Sequence, residues 1–166
     1  MPLIQLFIDI CLFRRGPQDV PASQLLLGLA VLVYLTVGVV LLGLEGMSME
    51  AVLQALVELL ILLGFVWGNL KFLRLQKRFV QTAIAMLGAD ALISSLAIPP
   101  VAWMAYSAGA RGAYLLLLLL MLWHLAVVAH ILRHALSRPL GVGIGLAVVY
   151  VVASYQVMLT LFPPAA

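Results

Sequence analysis

Long apolar runs separated by short polar breaks set the pattern of this chain, and five of the runs are long enough to cross a bilayer. A helix needs roughly 20 apolar residues to traverse about 30 Å of hydrocarbon. The pattern predicts spans at residues 24–44, 51–72, 79–106, 112–132 and 140–162. None shows the alternation of a lipid-facing barrel strand, so each is read as a helix, which satisfies its own backbone in lipid. The breaks are short, so consecutive spans should be antiparallel neighbours. The predicted fold is all-α: a polytopic membrane protein whose five-transmembrane-helix bundle is preceded by a short interfacial amphipathic helix. Two regions follow, a cytoplasmic interfacial helix and turn over 1–23 and a transmembrane domain over 24–166, with no room for a separate soluble domain.

The first apolar run, Met1 to Phe13, is too short to span. Gln5 and Asp9 are four apart and share one helical face. Leu3, Leu6, Phe7, Ile10 and Phe13 lie elsewhere around the wheel, and Arg14 and Arg15 follow. This predicts a helix along the cytoplasmic interface. A signal peptide would carry its cations before the apolar run instead. Pro17 and Pro21 then enforce a turn, and Ser23 is the expected N-cap of span one.

Composition sharpens the class. Hydrophobic residues make up 66% of the 166 residues and charged residues 9%, where a soluble domain carries about 25% charged. The few charges orient the bundle. Arg14, Arg15, Lys71, Arg74, Lys77, Arg78, Arg133 and Arg138 fall at one end, and only Arg111 falls at the other, with Glu45 and Glu50. By the positive-inside rule the basic end is cytoplasmic, which predicts a multi-pass protein of the bacterial inner membrane with its N-terminus inside and its C-terminus in the periplasm. The same eight cations are expected to meet lipid headgroups. No basic patch is interleaved with exposed aromatics, so nucleic acid is not an expected partner.

Small residues mark candidate packing faces. Gly64 and Gly68 form a GxxxG step in span two, Gly88 sits in span three, and Gly141, Gly143 and Gly145 open span five. Glycine lets two backbones approach closely in lipid. Spans two, three and five are therefore expected inside, and span four, with its leucine run Leu115 to Leu120, facing lipid. Pro99 and Pro100 should kink or break span three near its outer end, as a hinge or a simple terminus. Trp103 and Tyr106 follow at the depth of an aromatic belt.

Each span carries one polar group near mid-membrane: Tyr34, Glu58, Asp90, His124 and Tyr150. Ionisable groups there cost on the order of 2.5–3.5 kcal/mol on insertion scales, so each needs a reason. A converging hydrogen-bonded cluster that stitches the helices together is one reading. A site for protons or a small solute is the other. His130 and His134 share a face, but His124 lies about 240° away from His130 on the same helix, so the three histidines cannot ligate one centre. No histidine lies on a facing helix, so neither a haem, nor any other cofactor, nor a metal is expected. The single cysteine, Cys11, excludes an intramolecular disulfide; it reads as an ordinary apolar residue or an acylation site. HExxH and GxSxG are absent, and an enzyme is not expected.

The segment Thr82-Ala83-Ile84-Ala85-Met86-Leu87-Gly88-Ala89-Asp90-Ala91, leading to Ile98-Pro99-Pro100, resembles the glycine-bearing third span of the Yip family, the Ypt/Rab-interacting proteins, and the five-span layout over residues 1 to about 162 is similar to its short bacterial members. The chain departs from the eukaryotic members, with their long acidic N-terminal region, so no GTPase partner is carried over. The resemblance implies a non-enzymatic protein working through helix contacts. The expected function is that of a non-catalytic scaffold, assembly or membrane-organising factor, with lipids and a homo-oligomeric or membrane-protein partner. The alternatives are a transport or channel subunit built on Asp90, Glu58 and His124, and a redox-complex subunit using His124 or the tyrosines.

Overall fold

Apolar periodicity and end signals together account for six helices. A computed structural model describes residues 3–45, 49–106 and 111–163. The last residues of the transmembrane region, and the side chains of Glu45 and Tyr106, lie outside the described set. The helices are α1 (Leu3–Cys11), α2 (Gln24–Leu42), α3 (Met49–Phe72), α4 (Phe79–Tyr106), α5 (Arg111–Leu136) and α6 (Leu140–Leu161). The five from α2 to α6 are long and apolar enough to cross a membrane. Ser23 caps α2, its extended backbone letting Oγ accept from the Leu26 amide at 3.4 Å.

Three helix ends at the basic end share one device. At the ends of α1, α3 and α5, Phe13, Arg74 and Ser137 take positive φ of 62°, 58° and 52°. The next amide reaches back five residues: Arg14 to the Asp9 carbonyl, Leu75 to Leu70 and Arg138 to Arg133. This is the Schellman closure, usually made by glycine. Here ordinary residues make it, and Arg14, Arg74 and Arg138 sit beside carbonyl-rich termini that favour cations. The positive charge at this end thus complements the dipoles of three helices.

Helix α4 is the hub, packed against α1, α2, α3 and α5. Its buried stretch, Thr82 to Leu87 with Ala89, Ala91 and Ile93, forms the centre of the core. Consecutive spans are neighbours, and α6 packs on α5 and α3. The interior is not the expected set, however. Helix α6 buries only Gly143, Ala147 and Tyr150. The α5 run Leu115, Leu116, Leu118 and Leu119 is exposed as expected, but the half from Val127 to Leu132 is buried. A leucine run describes one half of a long helix, and the other half faces α4, α6 and α1.

Helix α4 also continues through Pro99 and Pro100 to Tyr106, so the proline pair neither ends nor breaks it. The prolines leave the carbonyls of Ser95 and Leu96 without their usual amides, but downstream amides still bond, and Trp103 lies against Gly112 at the start of α5, where an added Cβ would come 3.2 Å from its ring.

Helix α1 does more than lie on a surface. Leu6, Ile10 and Cys11 are buried, and Phe7 occupies the space beside Gly88 that a Cβ would need. Gly88 is nine residues past Phe79, about 14 Å along α4. Three side-chain bonds fasten the segment that follows: Trp123 donates to the Cys11 carbonyl at 2.9 Å, His130 Nε2 to the Arg15 carbonyl at 2.8 Å and Gln81 to the Val20 carbonyl at 2.8 Å. Burial, aided by the charge of Asp90, pushes the Cys11 thiol up to about 11. The thiolate is therefore scarce at neutral pH and gains only as pH rises towards that value. Maleimide labelling of Cys11 at pH 7.5 should be slow in the folded protein and fast after denaturation; equal rates would mean α1 is undocked.

Candidate functional site

The polar residue of each span comes to the same region. The His124 Nε2–H group donates to Asp90 Oδ1 at 2.7 Å, tying α5 to α4. Tyr34, Glu58 and Asp90, from α2, α3 and α4, line one cavity of about 90 Å³ with Gly38, Leu41, Leu42, Ala91 and Ser94. Tyr150 of α6 is buried beside them, its ring packed on Phe65 of α3 at 5.2 Å. The five elements deliver these residues because each sits on its helix's buried stripe. On α3, for instance, Ala55, Leu59 and Leu62 turn inward and carry Glu58 to the edge of the seam.

Size limits what this site can do. A water's share of liquid volume is about 30 Å³, so a 90 Å³ cavity holds about three waters. Sites for small molecules run about 300–1,000 Å³. The cluster can hold water or a proton, and it is smaller than the pockets that take drug-sized molecules. Among the described residues every fully buried side-chain polar atom has a partner. No group of three His, Cys, Asp or Glu residues among them could hold a metal ion. His130 and His134 lie 4.6 Å apart, ring to ring, but His130 is committed to the Arg15 carbonyl.

The glycines divide. Gly88 makes the close approach expected of it, to Phe7 rather than to another span. Gly64 and Gly68 point outward, and a Cβ on either would meet nothing within 4 Å. The reason is angular: the buried face of α3 runs through Ala55, Leu59, Leu62, Val66 and Leu70, and Gly64 and Gly68 each stand about 200° from it. Gly141 and Gly145 are equally open. The packing glycine of α6 is Gly143, where a Cβ would strike the Ala129 carbonyl oxygen of α5. Of the three glycines that open the span it is the one in register with the buried face, because Gly143, Ala147 and Tyr150 fall at i, i+4 and i+7. The double variant Gly64→Leu/Gly68→Leu should keep the wild-type melting temperature of the monomer in detergent; a fall of several degrees would mean that this face is packed.

The cations also divide. Arg78 turns inward, donating to the Ala135 carbonyl at 2.9 Å and to Ser137 Oγ at 2.8 Å, so it closes the end of α5 rather than meeting headgroups. Lys71 sits over the Trp67 ring at 4.3 Å. Arg14 and Arg15 lie 4.0 and 3.6 Å from Asp9. Arg74, Lys77 and Arg138 are exposed. Sequence reasoning missed Trp123, His130, Gln81 and Arg78 as fasteners, since each bonds to a backbone carbonyl that no residue pattern marks.

Five membrane-length apolar helices with a small polar cluster among them define an integral, multi-pass, α-helical membrane protein. No protein family, curated protein or solved structure matches the chain.

Proposed function

We propose that this protein is a non-catalytic scaffold, assembly or membrane-organising factor of the bacterial inner membrane, N-terminus inside and C-terminus in the periplasm, whose polar cluster is a clasp between helices. The observation that supports this reading is the commitment of Asp90 to His124 at 2.7 Å beside a cavity of only about 90 Å³. The docking of α1, with Phe7 against Gly88 of α4, supports it too, because it adds a further helix contact to the same hub. The charge distribution supports the orientation, and the likeness of residues 82–91 to the Yip third span agrees with a role through helix contacts. Work of this kind implies a partner, either a second copy or another membrane protein.

One observation favours a second reading. Glu58 lines the cavity and its side chain makes no hydrogen bond or ion pair among the described residues, and a carboxyl beside water is a place for a proton. A proton-handling subunit is the transport reading that fits the volume. The two readings separate at Asp90→Asn. The amide keeps the shape and still accepts from His124, so as a clasp residue it should leave both melting temperature and in-cell complementation of a deletion strain within error of wild type. A stable variant that fails to complement would put the proton reading first.

A further inference from the structure

The basic end carries a second feature, remote from Asp90. Between α5 and α6 lies a cleft of about 310 Å³ whose walls include Phe13, Ala126, Ala129 and Ile144. Against it lies a pocket of about 210 Å³ lined by Arg14, Arg15, Asp19 and His134. The two share Phe13, His130 and Arg133. They therefore form one site, apolar on the lipid side and cationic at the surface.

The charges within it do not cancel. Arg14 and Arg15 share a single carboxylate, Asp9, at 4.0 and 3.6 Å. Asp19 faces the pocket but accepts from the Gly16 amide at 2.9 Å. Arg133 makes no ion pair among the described residues; its Nη2 donates to His134 Nε2 at 3.2 Å, and that ring supplies no negative charge. We infer that this is a binding site for one anionic phospholipid of the leaflet at the basic end, its phosphate on Arg133 with Arg14 and Arg15, and an acyl chain in the α5–α6 cleft. A free anion would have no use for the apolar half, and a zwitterionic lipid, whose phosphate is already balanced by its own cation, would leave the excess positive charge unmatched. Basic pockets between helices at this depth suit such headgroups. The bound lipid would bridge α6 and the Phe13–Arg15 segment.

Native mass spectrometry of the full chain in nonionic detergent tests this, with phosphatidylglycerol, phosphatidylcholine of the same acyl chains, and inorganic phosphate as probes. Phosphatidylglycerol should bind preferentially. Arg133→Gln should weaken it about fivefold, the effect of one interfacial cation, while Arg133→Lys keeps most of the affinity. Ala126→Trp, filling the cleft from an exposed position, should weaken it as well, with the melting temperature unchanged in both variants. Equal binding of the two lipids, or an Arg133→Gln variant that binds phosphatidylglycerol like wild type, would overturn the assignment. Phosphate alone binding as tightly as phosphatidylglycerol would overturn the lipid and leave a free-anion site.

Discussion

Replacing Gly143 with leucine should be among the most damaging single changes in the chain. Even the first added carbon would strike the Ala129 carbonyl oxygen, and it would stand 3.1 Å from Arg133 Cβ. A flexible side chain can swing aside, but a backbone carbonyl inside a helix cannot. Helix α6 would have to move away from α5, and with it Ala147 and Tyr150, the other inward residues of that helix. Overpacking costs about 1–3 kcal/mol when side chains can adjust, and more when they cannot; the upper end applies here. Gly143→Ala should already lower the melting temperature in detergent. Gly145→Leu, two residues on and facing open space, is the control and should be silent. If Gly143→Leu melts with wild type, the α5–α6 seam described above is wrong.

The second large effect is expected at Asp90→Leu. That change removes the acceptor 2.7 Å from His124 Nε2 and leaves the imidazole without its partner inside the bundle. An orphaned buried donor costs about 1–3 kcal/mol. Tyr34 and Glu58 would at the same time face an apolar wall across their small cavity. The coupling can be isolated. His124→Leu alone should cost a similar amount, and the Asp90→Leu/His124→Leu double variant should lose clearly less than the two single losses summed, because both partners are then gone. Strict additivity, read from detergent melting, would mean that the pair carries no coupling energy.

How much of this was legible in the sequence differs from element to element. The spans were, because a long apolar run without strand alternation satisfies its backbone in lipid as a helix, and α4 begins at Phe79 and ends at Tyr106 as its apolar run predicts. Helix α5 runs four residues past the expected Leu132 to Leu136, since Arg133 and His134 suit a helix C-terminus as well as a headgroup layer. The convergence of Tyr34, Glu58, Asp90, His124 and Tyr150 was legible as depth, one per span, but the Asp90–His124 pairing depends on how α4 and α5 rotate against each other. Rotation also decided the glycines: Gly141, Gly143 and Gly145 stand two apart, so one face had to hold Gly143 and the other its neighbours. The seating of α1 was hidden because a short amphipathic helix has the same pattern whether headgroups or spans cover its apolar face. Phe7 against Gly88 becomes visible only when both chains of residues are placed. The turns at Phe13, Arg74 and Ser137 were hidden too, because a left-handed closure without glycine leaves no mark in the composition.

The central claim is that the Asp90 cluster joins helices and carries no protons. The most direct measurement is proton flux into proteoliposomes under an imposed potential, read with an entrapped pH dye, for wild type and Asp90→Asn side by side, with melting temperatures taken on the same preparations. The clasp predicts the same background leak and the same stability for both. A potential-driven flux in wild type that the equally stable Asn variant loses would contradict it.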